Sequence, residues 1–251
     1  MKRLLPWIVP FLVLLAWQAA AQTGLLSAQV LPAPTAVAEA TLRLARSGEL
    51  WRDIEVSTAR ALAGFAIGGG IGFVLGMLNG LSRLSENLTD STLQMVRNIP
   101  HLALIPLVIL WFGIGEEAKL FLVALGVFFP IYVNTMHGVR SVDPQLLEMA
   151  RAYGMSDRAI FWRVVFPGAL PSIFVGLRYG LGIMWLTLIV AETIAASSGI
   201  GFMAMNAREF MMVDVVVVSI LIYAALGKLA DSTARLLERT CLSWNPSYKG
   251  V

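Results

Sequence analysis

The sequence predicts an all-α integral membrane protein that crosses the bilayer with six helices, on three observations. Hydrophobic residues make up 57% of the chain and charged residues only 14%, with a mean hydropathy of +0.74. Soluble chains carry about 25% charged residues and use them to cover their surface, so this chain must meet lipid instead. Six apolar runs approach the roughly 20 residues that a helix needs to cross a hydrocarbon core of about 30 Å. Lys and Arg collect in the loops that such a six-span arrangement puts on one side.

The first run covers residues 4–21, behind Lys2 and Arg3. With Ala19-Ala20-Ala21 at its end it imitates a secretory signal peptide with a small-residue cleavage site. Its length suits a span, and it is read as a retained first helix. Leu31-Pro32-Ala33-Pro34 then breaks the chain, and residues 35–46 can form a short amphipathic helix with Val37, Leu42 and Leu44 as apolar positions. Gly48 suits its C-terminal stop, and an external helix on the membrane surface is the expected role.

The second run, 61–82, contains no charge. Its glycines at 64, 68, 72, 76 and 80 fall near one helical face and make a flat groove. Between helices in lipid, close approach through small residues is a main source of association. The third run, 94–113, holds Pro100 and Pro106, and the fourth, 118–139, holds Pro130. Each proline removes a backbone hydrogen bond and kinks its helix, which membranes tolerate where neighbours or a water-lined cavity satisfy the carbonyls. The fifth run, 172–196, carries Arg178 and Glu192 and repeats the small-residue spacing at Ser172, Gly176 and Gly180. The sixth covers 211–231.

Orientation follows the distribution of Lys and Arg. With the N-terminus inside, twelve fall in cytoplasmic segments and six on the opposite side. Both termini are therefore expected in the cytoplasm.

The long segment 140–171 then lies in the cytoplasm and reads as two short helices. Asp143 can cap the first, Pro144 fits its first turn and Gly154 supplies a left-handed residue to end it. Ser156 or Asp157 caps a second, which should stop near Pro167. A helix of about ten residues is marginal alone in water, so Leu146, Leu147, Ala150 and Tyr153 need a surface to cover them.

Glu148-Met149-Ala150, then Gly154, then nine residues to Val164-Val165-Phe166-Pro167 resembles the EAA loop of ABC importer permeases, where Glu-Ala-Ala, Gly and Ile-x-Leu-Pro recur at that spacing. Met149, Val164 and Phe166 depart from the pattern without changing residue character. The resemblance implies a type I ABC importer permease fold. It implies that residues 144–154 form a coupling helix seated in a groove of a cytoplasmic ATPase subunit. Glu148, Ala150, Tyr153, Gly154 and Pro167 are the coupling candidates. Residues 97–114, 184–193 and 206–210 are similar to the aliphatic sulfonate branch and its taurine and nitrate/bicarbonate relatives, over about residues 25–246. Expected partners are a second copy of the chain, two ATPase subunits, an extracytoplasmic substrate-binding protein and the lipid of a bacterial inner membrane. Taurine, nitrate/bicarbonate or a pyrimidine precursor are the alternative cargoes.

Polar groups within spans are costly and usually face a cavity or a partner. Arg97, Asn98, His101, Asn134, Arg178, Trp185 and Thr187 are the candidate lining of a translocation path. Arg178 can also serve as an ion-pair partner of Asp214 or Glu192, and Glu192 suits a structural or gate pairing. His101 and His137 suit packed, hydrogen-bonded positions better than ligand roles.

Other functions find little support. The net charge of +3 comes with no dense basic stripe, which argues against nucleic acid as a partner. One cysteine, Cys241, cannot form an intramolecular disulfide. No GxxxxGK[ST] occurs, so ATP hydrolysis falls to a partner. A close His/Cys/Asp cluster for a metal is missing from the sequence, as is a nucleophile–base pair, so no cofactor is expected and the chain reads as a transporter subunit rather than an enzyme. An ion-coupled secondary transporter is the remaining alternative. Such folds show inverted repeats, and the halves here show no convincing one.

Overall fold

The computed structural model describes residues 5–245, and their regular structure is helical. Lys2, Arg3 and Lys249, which entered the orientation argument, lie outside the described residues, as does the first residue of the 4–21 run. In chain order the helices are α1 (Leu5–Gln22), α2 (Pro34–Ser47), α3 (Glu49–Leu81) and α4 (Arg83–Arg97). After a 3-10 turn, His101–Leu104, come α5 (Ile105–Phe112), α6 (Glu116–Arg140), α7 (Pro144–Ala152) and α8 (Asp157–Ile160). A π-helical segment, Phe161–Val165, leads into α9 (Phe166–Ala195), followed by α10 (Ile200–Glu209) and α11 (Val213–Cys241).

Four helical stretches are long and apolar enough to cross a membrane: 49–81, 116–140, 157–194 and 213–241. The third predicted span is not one straight helix. α4 and the 101–112 segment meet at a bend of 79°. Pro100 drives the break, because it lacks an N–H and disfavours α geometry in the residue before it, while Pro106 sits in the first turn of α5, where no donor is needed. α1 adds a shorter apolar helix, Ile8–Gln22, so among the described residues four helices, or five with the bent pair, are long and apolar enough to cross. Large apolar side chains on the outer faces of these helices stay exposed, among them Leu62, Ile71, Leu186, Ile220 and Leu229. In water such a surface would aggregate; in hydrocarbon it costs nothing.

Two compact units divide the chain, Met1–Thr58 with Glu192–Ala225, and Ala59–Ala191 with Leu226–Val251. Within the first, α2 begins at Pro34 and ends on Gly48 at φ +82, as expected. Its buried face is Val37, Ala40 and Leu44; Leu42, expected on that face, is exposed instead. At 100° per residue it lies well off the stripe that positions 37, 40 and 44 define. The N-terminus of α10 is held by side chains. Gly199 N–H donates to Asp53 at 3.0 Å, Ile200 N–H to Ser57 Oγ at 2.9 Å and Gly201 N–H to Glu192 at 3.0 Å. These donors have no partner inside the helix, and carboxylates suit its positive end.

The second unit is built on the glycine face of α3. A Cβ at Gly64 would fall 2.6 Å from Val123, at Gly68 2.0 Å from the carbonyl oxygen of Ala124, and at Gly72 2.6 Å from that of Phe128. Gly76 and Gly80 meet Tyr132 and Val139 in the same way. The stripe exists because α3 and α6 touch backbone to backbone. The small residues of α9 do the same for its other neighbour contact: Ser172 Oγ donates to the Asn134 carbonyl at 2.8 Å, and a Cβ at Gly176 would meet Asn134 at 2.8 Å. Amphipathic α4 is fastened at its polar face. Buried Asn79 of α3 donates to Thr89 at 2.7 Å and to the Tyr132 hydroxyl at 2.8 Å, and Glu86 pairs with Arg140.

One boundary expectation fails outright. The second helix of the 140–171 loop does not stop near Pro167 but continues into the fifth span as one stretch, 157–194. The π segment explains this. Phe166 N–H donates to the Phe161 carbonyl, five residues earlier; this wider turn sits just where the ring of Pro167 would collide with an α-helical carbonyl. α11 likewise runs past 231 to Cys241.

Candidate functional site

Two places gather the candidate residues, both inside the second unit. The first is the 140–171 loop. Asp143 caps α7 by accepting from Gln145 N–H at 2.9 Å, Pro144 occupies its first turn, and Gly154 follows its end at φ +72. Ser156, rather than Asp157, caps α8. α7 is seated by its inner face: Ala150, at 3% exposure, joins Val139, Val142, Ile160, Val165 and Ala169 in a core, with Leu147 packed against it.

This corrects the expected division of labour on α7. Leu147 and Ala150 are covered by the chain's own core, so they need no foreign surface. Leu146, Met149 and Tyr153 remain exposed, Tyr153 to 80%, and Glu148 is exposed beside them. With Phe166, Pro167, Leu170 and Trp244, the side chains of Leu146, Met149 and Tyr153 border an apolar groove of ≈ 670 Å³. A short helix with one face anchored and the other bare is a rigid projection. Trp244, near the C-terminal end of the described chain, had no signal in the sequence because its nearness to α7 is purely tertiary.

The second place is a cavity of ≈ 340 Å³ lined by Arg97, His101 and Asn134 among apolar residues of α6 and α9. Three of the candidate path residues therefore meet. Thr187, fully buried, stands directly behind His101, with its Oγ1 3.0 Å from Nε2. Gly126 leaves the space for this pair, since a Cβ there would come within 2.9 Å of Thr187 Oγ1 and 3.2 Å of His101 Nε2. Asn134 Nδ2 donates to the carbonyl of Pro130 at 2.8 Å.

The other candidates lie elsewhere. Asn98 donates to the Gln94 carbonyl at 3.0 Å and finishes α4. Trp185 is buried at 7% exposure. Arg178 faces Asp231 at 3.4 Å and Glu238 at 3.6 Å, so the acidic partners expected for it, Asp214 and Glu192, are replaced by two residues of α11 that lie about two turns apart. Asp214 instead pairs with Arg43 at 3.2 Å, and Glu192 accepts from Ser57, Tyr223 and Gly201 N–H. Tyr179 and Phe129, which also line the His101 cavity, were not singled out by the sequence, because nothing local marks the inward face of an apolar helix.

Both places fall within the part of the chain that matches known proteins. Residues 68–242 match the family described as binding-protein-dependent transport system inner membrane component. The putative aliphatic sulfonates transport permease protein SsuC of Escherichia coli is 60% identical over 246 residues, covering 98% of this chain and 94% of that protein. The protein of the same description from Bacillus subtilis is 45% identical, covering 97% and 88%. Among solved structures, an inward-facing MetNI methionine ABC transporter shares the fold at a TM-score of 0.51 and 19% identity, covering 75% of this chain and 94% of that one. The chain has the type I importer permease fold and belongs to the family of binding-protein-dependent transport system inner membrane components, transport permeases rather than enzymes.

Proposed function

We propose that this chain forms the translocation path of an ATP-driven importer for aliphatic sulfonates, working as two copies with two ATPase subunits and an extracytoplasmic binding protein. The observation that carries the cargo is the 60% identity to the SsuC permease over 98% of the chain. α7 is the coupling helix. Glu148 and Tyr153 meet the ATPase, Ala150 and Pro167 seat the helix in the permease, and Gly154 ends it. Movement of α7 passes to α9 through the core that Ala150 shares with Val165, Ala169 and Ile173, and α8 runs on into the fifth span through the π segment without a break.

Both termini lie in the cytoplasm in this reading, which puts α7 on the side where ATP is hydrolysed. Arg97, His101 and Asn134 line the path. The direct test is uptake into proteoliposomes holding the permease, its ATPase and its binding protein. Alkanesulfonate should accumulate only with internal ATP and all three components present; accumulation without the ATPase would refute the reading.

A further inference from the structure

The cavity beside His101 is amphiphilic in a way that selects an occupant. Resting on the sulfonate-importer reading, we propose that it is a transit subsite in the permease itself, holding an alkanesulfonate with its head group on Arg97 and His101 and its alkyl chain along Leu125, Phe129 and Val133.

The head group follows from charge. Arg97 brings a guanidinium to the lining, and among the described lining residues none is Asp or Glu. A sulfonate is anionic at all physiological pH, and a guanidinium presents a planar fork that can engage two of its oxygens at once. His101 is a positioned partner rather than a loose one. Its ring is tied to the buried Thr187 hydroxyl at 3.0 Å, and the bare Cα of Gly126 is what permits that contact.

The tail follows from volume and wall chemistry. At ≈ 340 Å³ the cavity falls at the small end of the roughly 300–1,000 Å³ that ligand pockets occupy. Nitrate or bicarbonate would leave the apolar wall of α6 empty. Each methylene buried there is worth about fourfold in affinity, so a longer chain should bind more tightly until the space is filled. Taurine presents an ammonium group, for which the lining offers no carboxylate. The order expected is hexanesulfonate above methanesulfonate, with taurine and nitrate below alkanesulfonates of matched size.

The experiment is calorimetric titration of the permease–ATPase complex in lipid nanodiscs, without the binding protein, with empty nanodiscs subtracted. Methanesulfonate, propanesulfonate, hexanesulfonate, taurine and nitrate are the probes. Hexanesulfonate should bind at least tenfold more tightly than methanesulfonate, and taurine more weakly than propanesulfonate. Arg97→Gln should weaken every sulfonate about tenfold or more, and Val133→Phe should abolish the gain with chain length; only variants that still co-purify with the ATPase are compared. No saturable binding to the unaltered complex, equal binding by Arg97→Gln, or an unchanged chain-length series in Val133→Phe would each overturn the subsite. ATP-driven sulfonate uptake by the unaltered complex alongside such a result would leave the importer reading standing, whereas no ATP-driven uptake by the unaltered complex would remove both.

Discussion

The hydroxyl of Ser57 donates to the carboxylate of Glu192, with its Oγ 2.8 Å and 2.9 Å from the two oxygens. Both residues are buried, and the same carboxylate accepts from Tyr223 at 2.9 Å and from Gly201 N–H at 3.0 Å. Glu192 therefore ties α3, α9 and α11 to the start of α10 within the first unit. Replacing it by Leu removes this acceptor from three buried donors, each costing about 1–3 kcal/mol when left unsatisfied. Glu192→Leu should lower the denaturation midpoint of the detergent-purified protein strongly, and Glu192→Gln, which keeps one carbonyl oxygen, should fall between. A Leu variant as stable as the parent would contradict the bracing role.

Gly68 and Gly70 lie two residues apart on α3 and should respond in opposite ways. A Cβ at Gly68 would sit 2.0 Å from the Ala124 carbonyl oxygen, a backbone atom that cannot turn aside; at Gly70 nothing lies within 4 Å. Gly68→Ala should therefore separate α3 from α6 and sharply reduce the yield of folded protein. Gly70→Ala should be neutral or gain up to about 1 kcal/mol, since Ala is the better helix former. Fluorescence-detected size exclusion of the two variants decides this.

On α7, Glu148 and Ala150 should separate ATPase binding from folding. Glu148 is exposed and Ala150 is 3% exposed within the core under α7. Glu148→Lys should leave the permease folded yet reduce co-purification of the ATPase at least several-fold. Ala150→Leu should act first on the permease, because overpacking a filled core costs about 1–3 kcal/mol. If Glu148→Lys retained the ATPase in full, α7 would not be the docking element.

The pair Arg178 and Glu238 yields a stability measurement. Glu238 has only 8% side-chain exposure, and Arg178 lies 3.6 Å from it and 3.4 Å from Asp231. Arg178→Ala strips a nearly buried carboxylate of this cation and should destabilise the protein; adding Glu238→Ala should recover part of the loss. A coupling energy of about 0.5–3 kcal/mol is expected for groups in one network. Strict additivity of the two variants would show that the ion pair has no energetic content.

Much of this protein is determined by local pattern. The apolar runs, the glycine stripe of α3 and the caps Asp143 and Gly154 can be read directly, because each depends on periodicity or on the stereochemistry of one residue. The Glu148–Pro167 spacing is likewise a property of the chain alone. What tertiary structure decided is which face each helix turns inward and how prolines are accommodated. Pro100 breaks its span while Pro167 is absorbed by a π turn, and only the neighbouring backbone distinguishes them. Leu147 and Ala150 are covered while Leu146 and Tyr153 are not, because α7 is seated on Val142, Ile160 and Val165. His101 finds Thr187, and Arg178 finds Asp231 and Glu238, across separations of 86, 53 and 60 residues. In a chain this apolar, almost every helical face is acceptable to lipid, so hydropathy cannot choose the inward one; close backbone contact and the need to pair each buried polar group make that choice.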